Sequence, residues 1–158
     1  MKPAQTTFAV ACLWIAALTP LAVAQDDWRL HRDERFGMQI SYPASLFDTV
    51  EEHEEGVTIV GPDARLDMSG RAVPGLTDAS QIRAMVEEAE GYSDVTYSPG
   101  GNRWLVISGY RGDDIFYEKF FISGDDLLGF SLQYPVSLRD LYDPVVERME
   151  DSFRVHRR

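Results

Sequence analysis

The stretch Arg103–Tyr134, RWLVISGYRGDDIFYEKFFISGDDLLGFSLQY, decides how the rest of the chain is read. It holds three apolar runs, Trp104–Tyr110, Ile115–Ile122 and Leu127–Tyr134, rich in aromatic and β-branched residues. Two short breaks separate them, Arg111-Gly112-Asp113-Asp114 and Ser123-Gly124-Asp125-Asp126. Gly and Asp tolerate the positive φ that a tight hairpin needs. The pattern predicts a three-strand antiparallel meander. Its middle run is apolar on both parities. Phe116, Phe120 and Ile122 share one side, and Ile115, Tyr117 and Phe121 share the other. A sheet apolar on both faces is covered on both.

Upstream of the meander, Trp28–His31 and Met38–Tyr42 alternate as strands, with Asp33–Gly37 between them as a turn and Pro43 as terminator. Pro43–Phe47 reads as a loop or a single helical turn. Val57–Val60 and Arg65–Val73 read as two further strands around the turn Gly61-Pro62-Asp63. Asp78–Ala89 is a predicted helix. Asp78 or Thr77 can cap it, and Gln81 completes a capping box with Asp78. Ile82, Met85, Val86 and Ala89 supply its apolar face, and Gly91 ends it. Val95–Tyr97 suggests a short strand before the turn Pro99-Gly100-Gly101.

Downstream, a last helix is expected to start at Asp143-Pro144, with Asp as cap and Pro at the first helical position. Val145, Val146, Met149 and Phe153 give one apolar face, with Glu147 and Glu150 off it. Arg154, Arg157 and Arg158 follow, near the negative end of the helix dipole. Strands, a helix, strands and a helix make an α+β domain, an antiparallel sheet with helices packed on its faces.

Residues 1–24 read as a signal peptide. Lys2 gives a positive start, Phe8–Leu18 an apolar core, Pro20 a break, and Ala22-Val23-Ala24 a cleavage site. Residues 25–158 are then a single domain, exported and most simply periplasmic, with extracellular release as the alternative. The apolar run is short for a membrane span, and Asp26-Asp27 follow it at once, so no stable membrane insertion is expected. Cys12 lies inside the apolar run rather than after it, which argues against lipid attachment, and it is the only cysteine. The exported domain thus carries no disulfide and no thiolate chemistry.

The chain has 15 Lys and Arg against 26 Asp and Glu, a formal charge of −11, and cleavage after Ala24 would remove one more cation. Such acidity disfavours nucleic acid and anionic lipid, both polyanions. It suits a soluble protein, or one that meets cations or a basic partner.

Among chemistry-bearing clusters, Glu51-Glu52-His53-Glu54-Glu55 is the candidate metal site. Carboxylates with one imidazole suit Mn or Zn, and carboxylates alone suit Ca. Consecutive residues cannot all converge on one ion, so the competing reading is a solvated acidic loop. Asp113-Asp114 and Asp125-Asp126 are explained as turn formers at opposite ends of the meander. No G-x-S-x-G elbow, P-loop or dinucleotide glycine pattern is present, and His31, His53 and His156 lack motif context. No catalytic residue and no cofactor is nominated. The aromatics crowding the meander read as core, with some expected in an exposed binding patch.

The segments Phe36-Gly37-Met38-Gln39-Ile40-Ser41-Tyr42-Pro43, Phe130-Ser131-Leu132-Gln133-Tyr134-Pro135 and the closing Ser152-Phe153, with a mid-chain helix and long hairpins between them, resemble the PsbP-like fold from Trp28 to Phe153. That family spans the extrinsic oxygen-evolving-complex protein, a Ran-binding nuclear-import protein and small bacterial exported proteins. The resemblance implies an α-β-α sandwich that binds partners rather than catalysing. The photosystem contacts and metal sites of PsbP find no matching motif here. The leading expectation is an exported non-catalytic domain that binds a protein or assembly in the cell envelope. The alternatives are a divalent-cation-binding periplasmic protein and a hydrolase of unknown type.

Overall fold

The computed structural model describes residues 27–156 except Glu90 and Ser93, so the signal-peptide reading of residues 1–24 and the two terminal arginines lie outside the described residues. The meander is present as three long strands, β7 (Trp104–Arg111), β8 (Asp114–Ser123) and β9 (Asp126–Pro135), each antiparallel to the next. Gly112 and Gly124 turn the two hairpins at φ 62° and 64°, left-handed conformations that a side chain would strain.

The meander forms one side of a seven-stranded antiparallel sheet. Strands β3 (Thr49–His53), β4 (Gly56–Val60) and β5 (Arg65–Ala72) extend it beyond β9, and β6 (Asp94–Tyr97) closes it beyond β7, in the order β3-β4-β5-β9-β8-β7-β6. Strands β1 (Trp28–Asp33) and β2 (Met38–Pro43) form a separate three-stranded sheet with β10 (Arg154–Val155). The architecture is α+β, as the pattern of elements predicts.

The parity of the middle strand holds. Ile115, Tyr117 and Phe121 face a large core built with β2, Leu66, Met68, Phe130, Leu132 and the second helix. Phe116, Phe120 and Ile122 face a smaller core under the first helix, α1 (Ala79–Glu88). Gly70 in β5 carries no side chain because the Phe36 ring lies where its Cβ would stand, 2.5 Å away.

Four expectations change. The run Glu51-Glu52-His53 is not loop but part of β3. Every residue of that strand is exposed, so it has no apolar alternation to reveal it. Its charges also discourage further pairing at the sheet's edge. In α1 the Asp78–Gln81 capping box is made, but only Ala79 and Ile82 are buried. Val86 is half-buried, while Met85 and Ala89 face solvent, because the helix covers only a narrow strip of the sheet.

The second helix, α2, runs Arg139–Ser152, and a 3-10 turn at Val136–Leu138 leads into it. Asp143 therefore does not cap it. The Asp143 carboxylate instead accepts the Tyr134 hydroxyl at 2.8 Å, and Pro144 lies inside the helix. Proline there leaves only the Asp140 carbonyl without its usual donor, and Asp140 is exposed to water. Finally, Arg154 follows the helix end as expected and donates to the carbonyl of the C-cap Phe153, but it does so from a strand. It sits on β10, paired with Gln39 of β2. A two-residue strand has too little sequence to carry a pattern.

Candidate functional site

The meander brings together a set of residues that sequence reasoning scattered. Trp104 and Phe121 face each other across β7 and β8, on the side of the sheet that carries α2. Phe121 packs on Phe153 at 5.8 Å between ring centroids, and Phe153 packs on Phe130 at 5.1 Å. This aromatic floor lies at the edge of the core, and Trp104 stays 37% exposed. With Arg103 before β7, Lys119 on β8, Glu150 on α2 and Arg154 on β10, these side chains line a groove of about 440 Å³.

One wall is held by a polar cluster. Lys119 pairs with Glu150 at 2.6 Å, and the Tyr117 hydroxyl donates to the other Glu150 oxygen at 2.6 Å. Partial burial raises the Glu150 pKa, but the hydrogen bonds from Lys119 and Tyr117 and the lysine charge outweigh it and hold the carboxyl below its ordinary value. Burial first, and then the bond to Glu150, pushes the Tyr117 hydroxyl well above the usual tyrosine range. Glu150 is thus ionised at neutral pH and anchored by two donors, and Lys119 Nζ lies 5.5 Å from the Phe121 ring centre.

The other two cations are held differently. Arg103 donates Nε to the Ile122 carbonyl at 3.1 Å, and Arg154 donates Nη1 to the Phe153 carbonyl at 2.8 Å. Among the described residues neither forms an ion pair.

The opposite face of the sheet carries a second polar feature. Register places Glu51, Thr58, Asp67, Ser131 and Glu118 in one row across five strands. Glu118 is 5% exposed and accepts Tyr92 Oη at 2.6 Å and Arg111 at 2.8 Å. Arg111 lies 4.3 Å from the Phe116 ring centre and 4.8 Å from that of Tyr92. Asp67 accepts Arg65 and Thr58. A hollow of about 180 Å³ lies over this row. In this row Asp67 and Glu118 each have an arginine, and Glu51 stands exposed on the edge strand, whereas the groove beside Trp104 presents exposed aromatic surface and, among the described residues, two arginines outside any ion pair.

The nominated metal residues lie elsewhere. Glu51, Glu52 and His53 stand on β3, and Glu54 and Glu55 in the turn to β4, all exposed. Alternation along the strand sends Glu52 to the face opposite Glu51 and His53. Arg35 donates to the carbonyls of His53 and Glu54 at 2.7 and 2.8 Å. Among the described residues no three His, Cys, Asp or Glu side chains group in a way that could hold a metal ion. His31 is half-buried on β1 and lines a shallow cleft with Asp33 and Glu52. Of the paired acids, Asp113 and Asp125 lie in the two hairpin turns, while Asp114 and Asp126 open β8 and β9, with Asp114 accepting from Gln133 across the strands at 2.7 Å. No helix among the described residues is long and apolar enough to cross a membrane.

Of the groove, sequence reasoning had only the aromatics. Lys119 carries a usable signal: with Glu118 it is the one charged pair inside an apolar strand. Neighbours on a strand point to opposite faces, so each needs its own buried partner. Arg103 and Arg154 carry no such signal, being distant in sequence and brought together only by β10.

The two-helix, seven-stranded arrangement defines a PsbP-like fold. Among solved structures the chain is similar to the solution structure of cyanobacterial PsbP (CyanoP) from Synechocystis sp. PCC 6803, at a TM-score of 0.62 and 13% identity, over 87% of this chain and 100% of that one. No protein-family model matches the chain, and no curated protein matches it.

Proposed function

We propose that the chain is an exported, non-catalytic domain that binds a protein partner or assembly in the cell envelope, and that the groove beside Trp104 is its docking site. The carrying observation is Trp104, a large aromatic left 37% exposed at the mouth of a groove floored by Phe121 and Phe153. Exposed aromatic surface bordered by charged residues marks interaction sites. The leader-like residues 1–24 support export, and the PsbP-like fold supports binding over catalysis.

The test is capture from envelope extracts with the tagged chain and with Trp104→Ala. A partner retained by the first and lost by the second is the expected result. Capture of nothing across a range of salt, or capture indifferent to Trp104, would remove the reading.

The formal charge of −11 favours one other reading, divalent-cation binding at the acidic surface. Calorimetry with Ca, Mn and Zn tests it, and no heat at millimolar metal would dismiss it.

A further inference from the structure

We propose that the groove takes an acidic peptide segment anchored by an apolar side chain, contributed by the protein partner. This rests on reading the groove as a docking site, and adds the chemistry of what docks.

The argument is one of charge complementarity. The chain as a whole is strongly acidic, yet the groove lining holds three cations, Arg103, Lys119 and Arg154, against the single acid Glu150. Lys119 is neutralised by Glu150. Arg103 and Arg154 are steadied by backbone carbonyls, which orient a guanidinium without cancelling its charge. Two arginines outside any ion pair among the described residues, set beside aromatic surface, match carboxylates next to an apolar anchor. Guanidinium is the better group for this, since its planar fork meets carboxylate bidentately.

The placement of the two arginines selects a peptide over a single-headed amphiphile. They stand on different elements, Arg103 ahead of β7 and Arg154 on β10. A peptide carries several carboxylates spaced by at most about 3.3–3.6 Å per residue, with apolar side chains between them, so it can offer acids to both arginines and an anchor to Phe121 and Phe153, which a single head group does not. The groove's cations act on a ligand only within roughly a Debye length, about 8 Å at physiological salt, and at similar range the acidic surface elsewhere repels an acidic partner. The attraction is therefore confined to the groove, which favours segments that fit it over polyanions in general.

The experiment uses fluorescence anisotropy with a labelled peptide of roughly twelve residues, about 40 Å extended, in which Glu alternates with Leu and Phe. Control peptides carry Lys for Glu, or Ser for Leu and Phe. Oleate and a single-stranded oligonucleotide serve as competitors. The parent peptide is expected to bind saturably, and each control at least about tenfold more weakly. Arg103→Glu with Arg154→Glu should weaken binding by at least about tenfold at an unchanged melting midpoint. Arg103→Gln with Arg154→Gln should weaken it less, and serves if the first pair unfolds the chain. No binding by the parent peptide, equal binding by the lysine control, displacement by oleate or oligonucleotide, or indifference to both arginine pairs would overturn the proposal. If the acidic peptide fails while Trp104→Ala still abolishes envelope capture, the docking site stands and its acidic selectivity falls. If Trp104→Ala leaves capture unchanged, the docking site itself falls.

Discussion

Glu118 and Lys119 are consecutive, oppositely charged, and separated by the full thickness of a sheet. The strand sends Glu118 toward Tyr92 and Arg111, and Lys119 toward Glu150 on α2. A charge buried in a sheet persists only when paired and hydrogen-bonded, and both are. Glu150 makes the second pair sensitive to acid. Its pKa is lower folded than unfolded, so its stabilisation is complete above the unfolded value, about 4.3, and is lost as pH falls through the folded one. The wild-type chain should therefore melt above Glu150→Gln at pH 7, with the gap closing below about pH 4. Paired thermal melts from pH 7 to pH 3 measure this; a gap that stays constant would mean that Glu150 acts through packing rather than charge.

At the scale of elements, the hairpin turns and the edge strands behave in opposite ways. Gly124 turns β8 into β9 at φ 64°, with open space where a Cβ would stand, so substitution there is strained by backbone conformation and not by crowding. Gly124→Ala should cost about 1 kcal/mol, read from urea unfolding. A neutral result would show the turn relaxing to another type. These turns were legible because Gly and Asp announce them. Strand β3 was not, because an edge strand exposed on both faces buries nothing and so shows no period. The start of α2 was misplaced for a related reason. Asp143-Pro144 has the chemistry of a helix start, but Tyr134 holds that aspartate in the tertiary structure and the helix begins at Arg139, before it.

Across the whole molecule, the two faces of the seven-stranded sheet are unequally covered. On one side α2 and the sheet of β1, β2 and β10 enclose the larger core, with Tyr142, Val145, Val146 and Met149 buried. On the other, α1 contributes Ala79 and Ile82 to a smaller core. Local opening should therefore start at α1. Amide hydrogen exchange in Ala79–Glu88 is expected to be at least about tenfold faster than in β8; equal protection would make the domain a single cooperative unit.

The sequence by itself determined the meander, the two-sided apolar parity of β8, the capping box of α1 and the α+β class. Each rests on neighbours in the chain, where periodicity and turn chemistry act within a few residues. Only the tertiary structure decided that β1 and β2 form a sheet apart, with β10 paired to β2, and that Arg154 and Arg103 line one aromatic groove. Those contacts join residues far apart in sequence through burial and backbone pairing. No local period records them, because what selects them is the closing of the larger core over β2 and Phe153.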